Sequence, residues 1–221
     1  MSNVVVAMDG PSGSGKSSTS RGVARRLGMR YLDTGAMFRA VTWWMLEHGV
    51  DVEDVDAVAA HAEEPVLVSG TDPGRPTISV DGTDVAGPIR SAEVTAAVSA
   101  VSAVPAVRAR LLREQREIIG DGGIVVEGRD IGTVVVPDAP VKVYLTADPG
   151  ARAARRTAEL AHPSDVESTR EALLRRDRYD SGRATAPLAM ADGAHHIDTT
   201  PYTLEEVVEQ VVALVDAVDP A

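Results

Sequence analysis

Apolar residues recur along the chain in two textures. Short β-branched runs bounded by turn residues, Val4-Val5-Val6, Ile124-Val125-Val126 and Val141 to Leu145, predict strands buried on both faces of a parallel sheet. Tyr31-Leu32 is another strand candidate, and His195-His196 falls on a further one, where structural histidines are expected. Between these runs, helical patterns are predicted up to Leu27-Gly28, over 34–48 and 52–62, over 91–103, and over 105–119 after the break at Pro105. Asp148-Pro149 offers an N-cap followed by proline at the first helical position. The last helix is signalled most fully. Thr203 and Glu206 suit a capping box, and Leu204, Val207, Val208, Val211, Val212, Val215 and Val218 repeat at helical spacing. The texture changes near residue 66, where Val66-Leu67-Val68, Thr77 to Val80 and Thr83 to Val85 are short strand-like pieces. Asp81-Gly82 joins the last two as a two-residue hairpin signal. The whole pattern predicts an α/β fold, a parallel sheet covered by helices with a small antiparallel insertion near 66–90.

Composition narrows the class. A chain of 221 residues with 44% hydrophobic and 25% charged residues is a globular domain, too apolar for a disordered one. Acidic residues outnumber basic ones 33 to 22, a formal charge of −11, which argues against nucleic acid or an anionic membrane as partner. The chain has no cysteine, which excludes disulfides, thiolate metal sites and cysteine nucleophiles. The first apolar run has no basic leader and is too short for a signal peptide or a membrane span, so a cytoplasmic location is expected.

The chemistry begins at Gly10-Pro11-Ser12-Gly13-Ser14-Gly15-Lys16-Ser17, which matches G-x-x-x-x-G-K-[ST] between a predicted strand and a predicted helix. Glycines let successive backbone N–H groups turn inward around phosphate oxygens, and the helix adds its positive N-terminal end. Lys16 can reach the β- and γ-phosphates, and the Ser17 hydroxyl can help to hold Mg²⁺; Ser18 and Thr19 offer further hydroxyls. Only two lysines, Lys16 and Lys142, occur in a chain whose other basic residues are all arginine. Basic roles elsewhere went to arginine, yet this position is lysine. The sheet is therefore expected to be of the P-loop NTPase type.

Such a loop serves switches, motors and kinases alike. A guanine-reading N-K-x-D motif is excluded, because the single asparagine, Asn3, is not followed by lysine. Motors need more chain for their coupled domains. A small kinase remains favoured, with a non-catalytic nucleotide-binding regulator as the rival class. A hydroxyl acceptor would call for a general base, whereas a phosphate acceptor calls for converging arginines to bring two polyanions together. On the 105–119 helix, Val107, Leu111, Leu112, Ile118 and Ile119 fall within an arc of roughly 140°. Arg110, Arg113 and Arg116 lie opposite and read as a solvated face. Arg108 falls inside the apolar arc, which requires an anion, a polar ligand, a cleft or an internal carboxylate beside it.

At this point the residues resemble the bacterial-type cytidylate kinases, members of the nucleoside monophosphate kinases. The markers are Asp9 to Ser17, Asp33 to Arg39, Pro105-x-x-Arg108, Glu127 to Thr133, Arg176-Asp177-x-x-Asp180-x-x-Arg183 and Ala186-Pro187-Leu188, in order over nearly the whole chain. The resemblance implies transfer of the ATP γ-phosphoryl group to CMP or dCMP, with Mg²⁺ as the metal. It implies that Thr34, Arg39, Arg129 and Arg183 hold the CMP phosphate and the transferring group. Arg176 and Asp180 would contact the sugar, and Ser99, Arg108 and Asp130 would read cytosine. Phe38 stands where some relatives carry tyrosine. The catalytic set on this reading is Lys16, Arg129, Arg176 and Arg183. Thr34 could alternatively cap its helix, and Arg170, Arg175 and Arg178 read as a solvated face.

The expected organisation is a core over 1–33, 104–151 and 171–221, a monophosphate-binding region over 34–103, and a lid over 152–170. The lid carries Arg152, Arg155, Arg156 and a Pro163-Ser164 turn. A monomer whose partners are ATP, CMP and dCMP is expected. Acceptors such as AMP, UMP or shikimate on the same fold are the nearer alternative.

Overall fold

The strands predicted from β-branched runs form one parallel sheet in the computed structural model, which describes residues 3–159, 165–183 and 185–219. The chain runs β1 (Val5–Asp9), α1 (Lys16–Leu27), β2 (Arg30–Asp33), α2 (Thr34–Glu47) and α3 (Val55–Ala60). An insertion follows, with β3 (Leu67–Ser69), β4 (Ile78–Val80) and β5 (Thr83–Asp84). Then come α4 (Ala92–Ala103), α5 (Pro105–Ile119), β6 (Ile124–Glu127), β7 (Val141–Thr146), α6 (Pro149–Glu159), α7 (Val166–Gly182), β8 (His195–Asp198) and α8 (Leu204–Val218). The main sheet has the order β2-β6-β1-β7-β8, with every pair parallel.

Both faces of the central strands are covered, which is why β1 and β6 are apolar up to the acidic residues that end them. On one face, Val6, Met8, Val125 and Val143 pack with Val23 of α1 and with Val207, Val208, Val211 and Val215 of α8. On the other, Ala7, Leu32 and Val126 pack with Met37, Val41 and Met45 of α2 and with Val107 and Leu111 of α5. The α8 capping box forms as expected, with the Thr203 side chain taking Glu206 N–H and the Glu206 carboxylate taking Thr203 N–H. Leu204 and Val218, at the ends of that helix's apolar stripe, are exposed. The α1 helix ends at Gly28 in the left-handed region, and Asp148 caps α6 by accepting from Gly150 and Ala151 N–H.

The insertion is antiparallel, β3-β4-β5, and its hairpin turns on Asp81 (φ 51°) and Gly82 (φ 78°). Trp44 Nε1 donates to Asp81 Oδ2 at 2.8 Å and so fastens the turn to α2. The 52–62 pattern contracts to α3, because Asp54 stops the chain and caps it, accepting from Asp56 and Ala57 N–H. Arg110 overturns its predicted solvated face. It is 4% exposed, donating to the Ala62 and Pro65 carbonyls and pairing with Glu114 at 2.8 Å. The chain from α3 to β3 runs across that side of α5, so a guanidinium there serves as an internal bracket. Arg113 stays exposed, while Arg116 reaches across to the Val134 and Val135 carbonyls. Arg175 and Arg178 are exposed as expected, and the Arg170 side chain is 43% exposed. Among the described residues no single helix is long and apolar enough to cross a membrane.

Candidate active site

At the carboxyl edge of the sheet, β1 gives way to the glycine-rich loop. Gly10 sits at φ 143°, where a Cβ would lie 2.0 Å from the Leu145 carbonyl oxygen, so only glycine fits against β7. Three carbonyls of the loop are each held by a side chain: Pro11 by Lys16 Nζ at 2.7 Å, Ser12 by Arg152 at 3.1 Å and Ser14 by Thr199 Oγ1 at 3.1 Å. Gly15, left-handed at φ 89°, leads into α1, which has no side-chain cap and no acidic residue in its first turn. Its first amides are free for an anion, the arrangement a polyphosphate needs.

Lys16 is buried, and burial pulls its ammonium down to about 7, with Arg129 adding and Glu127 opposing. Glu127, at the end of β6, accepts from Ser17 Oγ at 3.0 Å and from the Tyr31 hydroxyl. Burial, and then the Asp33 charge, push Glu127 up to about 7. Burial and the Glu127 charge likewise push the Tyr31 phenol up. Ser17 and Ser18 are exposed at the loop's rim. Among the described residues no group of three His, Cys, Asp or Glu could enclose a metal. The oxygen donors gathered at Ser17 suit Mg²⁺, which binds through one or two protein oxygens and the substrate's own phosphates.

Beside this loop the arginines converge. Asp180, buried near the end of α7, is approached by Arg129 Nε at 3.2 Å, Arg176 Nε at 3.8 Å and Arg183 Nη1 at 3.9 Å. Three guanidiniums on one carboxylate leave a net of two positive charges in a site largely withdrawn from water. Burial and then Arg129 lower Arg176 to about 10, while burial and then Arg108 lower Arg183. Arg39, on α2, falls to about 9 through burial and then the charges of Arg176, Arg156 and Arg90. Its Nη1 donates to the Ile89 carbonyl and Thr95 Oγ1, both at 3.0 Å. Desolvated cations short of counter-charge gain most from an anion.

Arg108, placed inside an apolar arc by periodicity, meets an internal carboxylate. It pairs with Asp130, donates to the Ser102 carbonyl at 3.0 Å, and lies 5.2 Å from the Phe38 ring centroid. Ser102 Oγ in turn stands 3.5 Å from Arg183 Nη1 and donates to the Ser99 carbonyl at 3.1 Å. Thr34 does not cap α2. Asp33 does, accepting from Ala36 N–H at 2.9 Å, while Thr34 Oγ1 donates to the Glu127 carbonyl at 2.7 Å.

The fold thus gathers Lys16, Arg129, Arg176, Asp180 and Arg183 at one end of the sheet, with Arg108, Asp130 and Ser102 adjoining. Of the lid residues, Arg152 is buried against Ser12 and pairs with Asp177 at 2.5 Å, and Arg155 binds Thr199. The Pro163-Ser164 turn lies outside the described residues. Sequence reasoning did not single out Tyr31, Ser102 or the inner position of Arg152. Ser102 carried a signal, since it follows Ser99 by three residues on the same helix face.

A family model described as cytidylate kinase matches residues 6–217 of this chain. The chain belongs to the cytidylate kinase family. The cytidylate kinase of Streptomyces avermitilis is 61% identical over 215 residues, 96% of this chain and 93% of that protein. The cytidylate kinase of Streptomyces griseus subsp. griseus is 61% identical over 217 residues, 97% and 94% of the respective chains. Among solved structures, shikimate kinase from Acinetobacter baumannii in complex with shikimate superposes with a TM-score of 0.50 at 15% identity. That match covers 99% of this chain and 96% of that one, and it extends to the fold alone. As a cytidylate kinase family member the chain is an ATP-using phosphotransferase of the nucleoside monophosphate kinase type.

Proposed function

We propose that this protein transfers the γ-phosphoryl group of ATP directly to the phosphate of CMP or dCMP, in line and without a covalent intermediate. The observation that carries this reading is the convergence of Arg129, Arg176 and Arg183 on Asp180, beside the amides of the phosphate loop. A phosphate acceptor is already an anionic nucleophile, so positive charge rather than a general base is what the site must provide.

The loop from Gly10 to Ser18 holds the ATP phosphates through its amides and Lys16. Thr34, Arg39, Arg129 and Arg183 hold the acceptor phosphate and the moving group, and Arg176 and Asp180 hold the sugar. Asp180 suits ribose or deoxyribose hydroxyls because a carboxylate only accepts. Ser99, Arg108 and Asp130 face cytosine, whose exocyclic amine donates to the carboxylate and whose N3 and O2 accept from the guanidinium. In the free protein Arg108 and Asp130 satisfy one another. A cytosine edge exchanges that pairing for two bonds of matching polarity. Ser17 would hold Mg²⁺, which supplies charge neutralisation on the phosphates. The segment over 152–170 acts as a lid that excludes water, preventing idle ATP hydrolysis. The protein works as a cytoplasmic monomer, with no nucleic acid as partner.

The test is an ADP-release assay with a panel of acceptors. CMP and dCMP should support turnover, with UMP, AMP and shikimate well behind. Turnover greatest with another acceptor would replace the substrate assignment. ATP binding without acceptor-dependent ADP release would make the protein a regulator instead.

A further inference from the structure

Asp9 ends β1 at 3% exposure, and no part of the transfer uses it. Its two carboxylate oxygens accept from successive amides of one turn, Oδ1 from Ile131 N–H at 2.9 Å and Oδ2 from Gly132 N–H at 2.8 Å. Those amides open a π-helical turn, Ile131–Val135, which closes through Val135 N–H to the Asp130 carbonyl and Val136 N–H to the Ile131 carbonyl. The leading amides of a helical turn lack internal acceptors and carry partial positive charge, so a carboxylate is their strongest partner. One rigid group taking both amides fixes the direction in which the turn starts. Gly132 makes room for it: a Cβ there would stand 3.4 Å from Asp9 Oδ2 and 3.1 Å from the Ala191 Cβ.

The position of this clamp gives it meaning. Directly after Asp9 comes Gly10 of the donor loop, and directly before Ile131 come Arg129 and Asp130. The β1–β6 ladder ends at Met8 opposite Glu127, with Gly128 N–H bonded to the Met8 carbonyl at 3.0 Å. Beyond that bond, Asp9 ties the acceptor-side loop to the strand that carries the phosphate loop. Resting on the functional reading above, we propose that Asp9 is a positioning residue: by clamping the Ile131 and Gly132 amides it sets Arg129 and Asp130 so that the acceptor nucleotide lies in line with the donor phosphates.

Burial and hydrogen bonding act on Asp9 in opposite directions. Burial pushes its carboxyl up to about 6 against the pull of the two amides, with Asp130 raising it and Lys16 lowering it. Tyr144 faces it from β7, and the stem of Lys142 packs beside Gly132. Protonation would turn one acceptor oxygen into a hydroxyl and release an amide.

The experiment compares full-length wild type with Asp9→Asn, whose carboxamide has the same size but presents N–H₂ to one of the two amides. KM for CMP should rise about tenfold and the preference for CMP over UMP should shrink, while KM for ATP changes less than about twofold. A merely structural loss would weaken both nucleotides together and leave base preference intact. Wild type that prefers CMP, alongside a variant that keeps both KM for CMP and the CMP:UMP ratio, overturns the proposal and spares the substrate assignment. Wild type that shows no preference for CMP removes both. In ligand-free wild type, the Ile131 and Gly132 amides should be protected from hydrogen exchange, and Asp9→Asn should release at least one of them. Wild-type amides that exchange as fast as exposed ones overturn the clamp whether or not the variant folds.

Discussion

Single residues carry the chemistry here, and Lys16 shows how burial tunes them. A lysine withdrawn from water loses affinity for its proton, and Lys16 falls to about 7 in the ligand-free protein because desolvation outweighs the nearby carboxylates. Triphosphate binding reverses this, since the anion favours the charged form. At pH 8, ATP binding should therefore take up close to one proton, and affinity should fall as pH rises from about 7 toward the raised pKa of the complex. Calorimetry in buffers of differing ionisation heat reads the uptake directly. Lys16→Ala should abolish it and remove most turnover while leaving the circular dichroism spectrum unchanged. Near-normal turnover would cancel the role assigned to Lys16. The residue type and place of Lys16 were legible from the loop motif alone. Its depressed pKa was not, because desolvation comes from β6, α7 and the loop closing around it.

Among the elements, α5 shows what periodicity reports and what it leaves out. The apolar arc of α5 was read correctly, and Val107, Leu111 and Ile119 are buried. The same angles put Arg110 on the outside. They could not see the connection from α3 to β3 lying across that side, where Arg110 donates to the Ala62 and Pro65 carbonyls. Arg110→Ala should cost about 2–4 kcal/mol, since two buried carbonyls lose a charged donor. Urea unfolding checks this, and a loss below about 0.5 kcal/mol would return Arg110 to the solvated class. The α2 helix teaches the same lesson on a smaller scale. Asp33 and Thr34 are both good cap residues, and their division of labour follows from β6, whose Glu127 carbonyl takes the Thr34 hydroxyl.

The whole molecule sets opposite charges side by side. A chain of formal charge −11 concentrates three guanidiniums around one buried carboxylate. Without a ligand, Asp180 is the carboxylate that all three share, with Asp177 and Asp130 adding counter-charge to Arg176 and Arg183. Asp180→Asn should therefore lower Tm of the free protein by several degrees, about 1–3 kcal/mol of uncompensated repulsion. Sulfate should restore much of the loss, because it supplies the missing negative charge, and chloride at equal ionic strength should restore less. A variant with unchanged Tm would show that the three cations do not strain the fold.

The chain's order of apolar runs, its phosphate loop and its spaced motifs were enough to specify the parallel sheet, the insertion and the family. These features are local, since strand and helix periods, turn residues and a glycine-rich loop are written within a few positions of one another. What only tertiary structure decided was the fate of buried polar groups: Arg108 against Asp130, Arg110 as a bracket, Tyr31 on Glu127, and Asp9 across two amides of a distant turn. A polar side chain can be buried only where its partners arrive, and those partners come from segments far away in sequence.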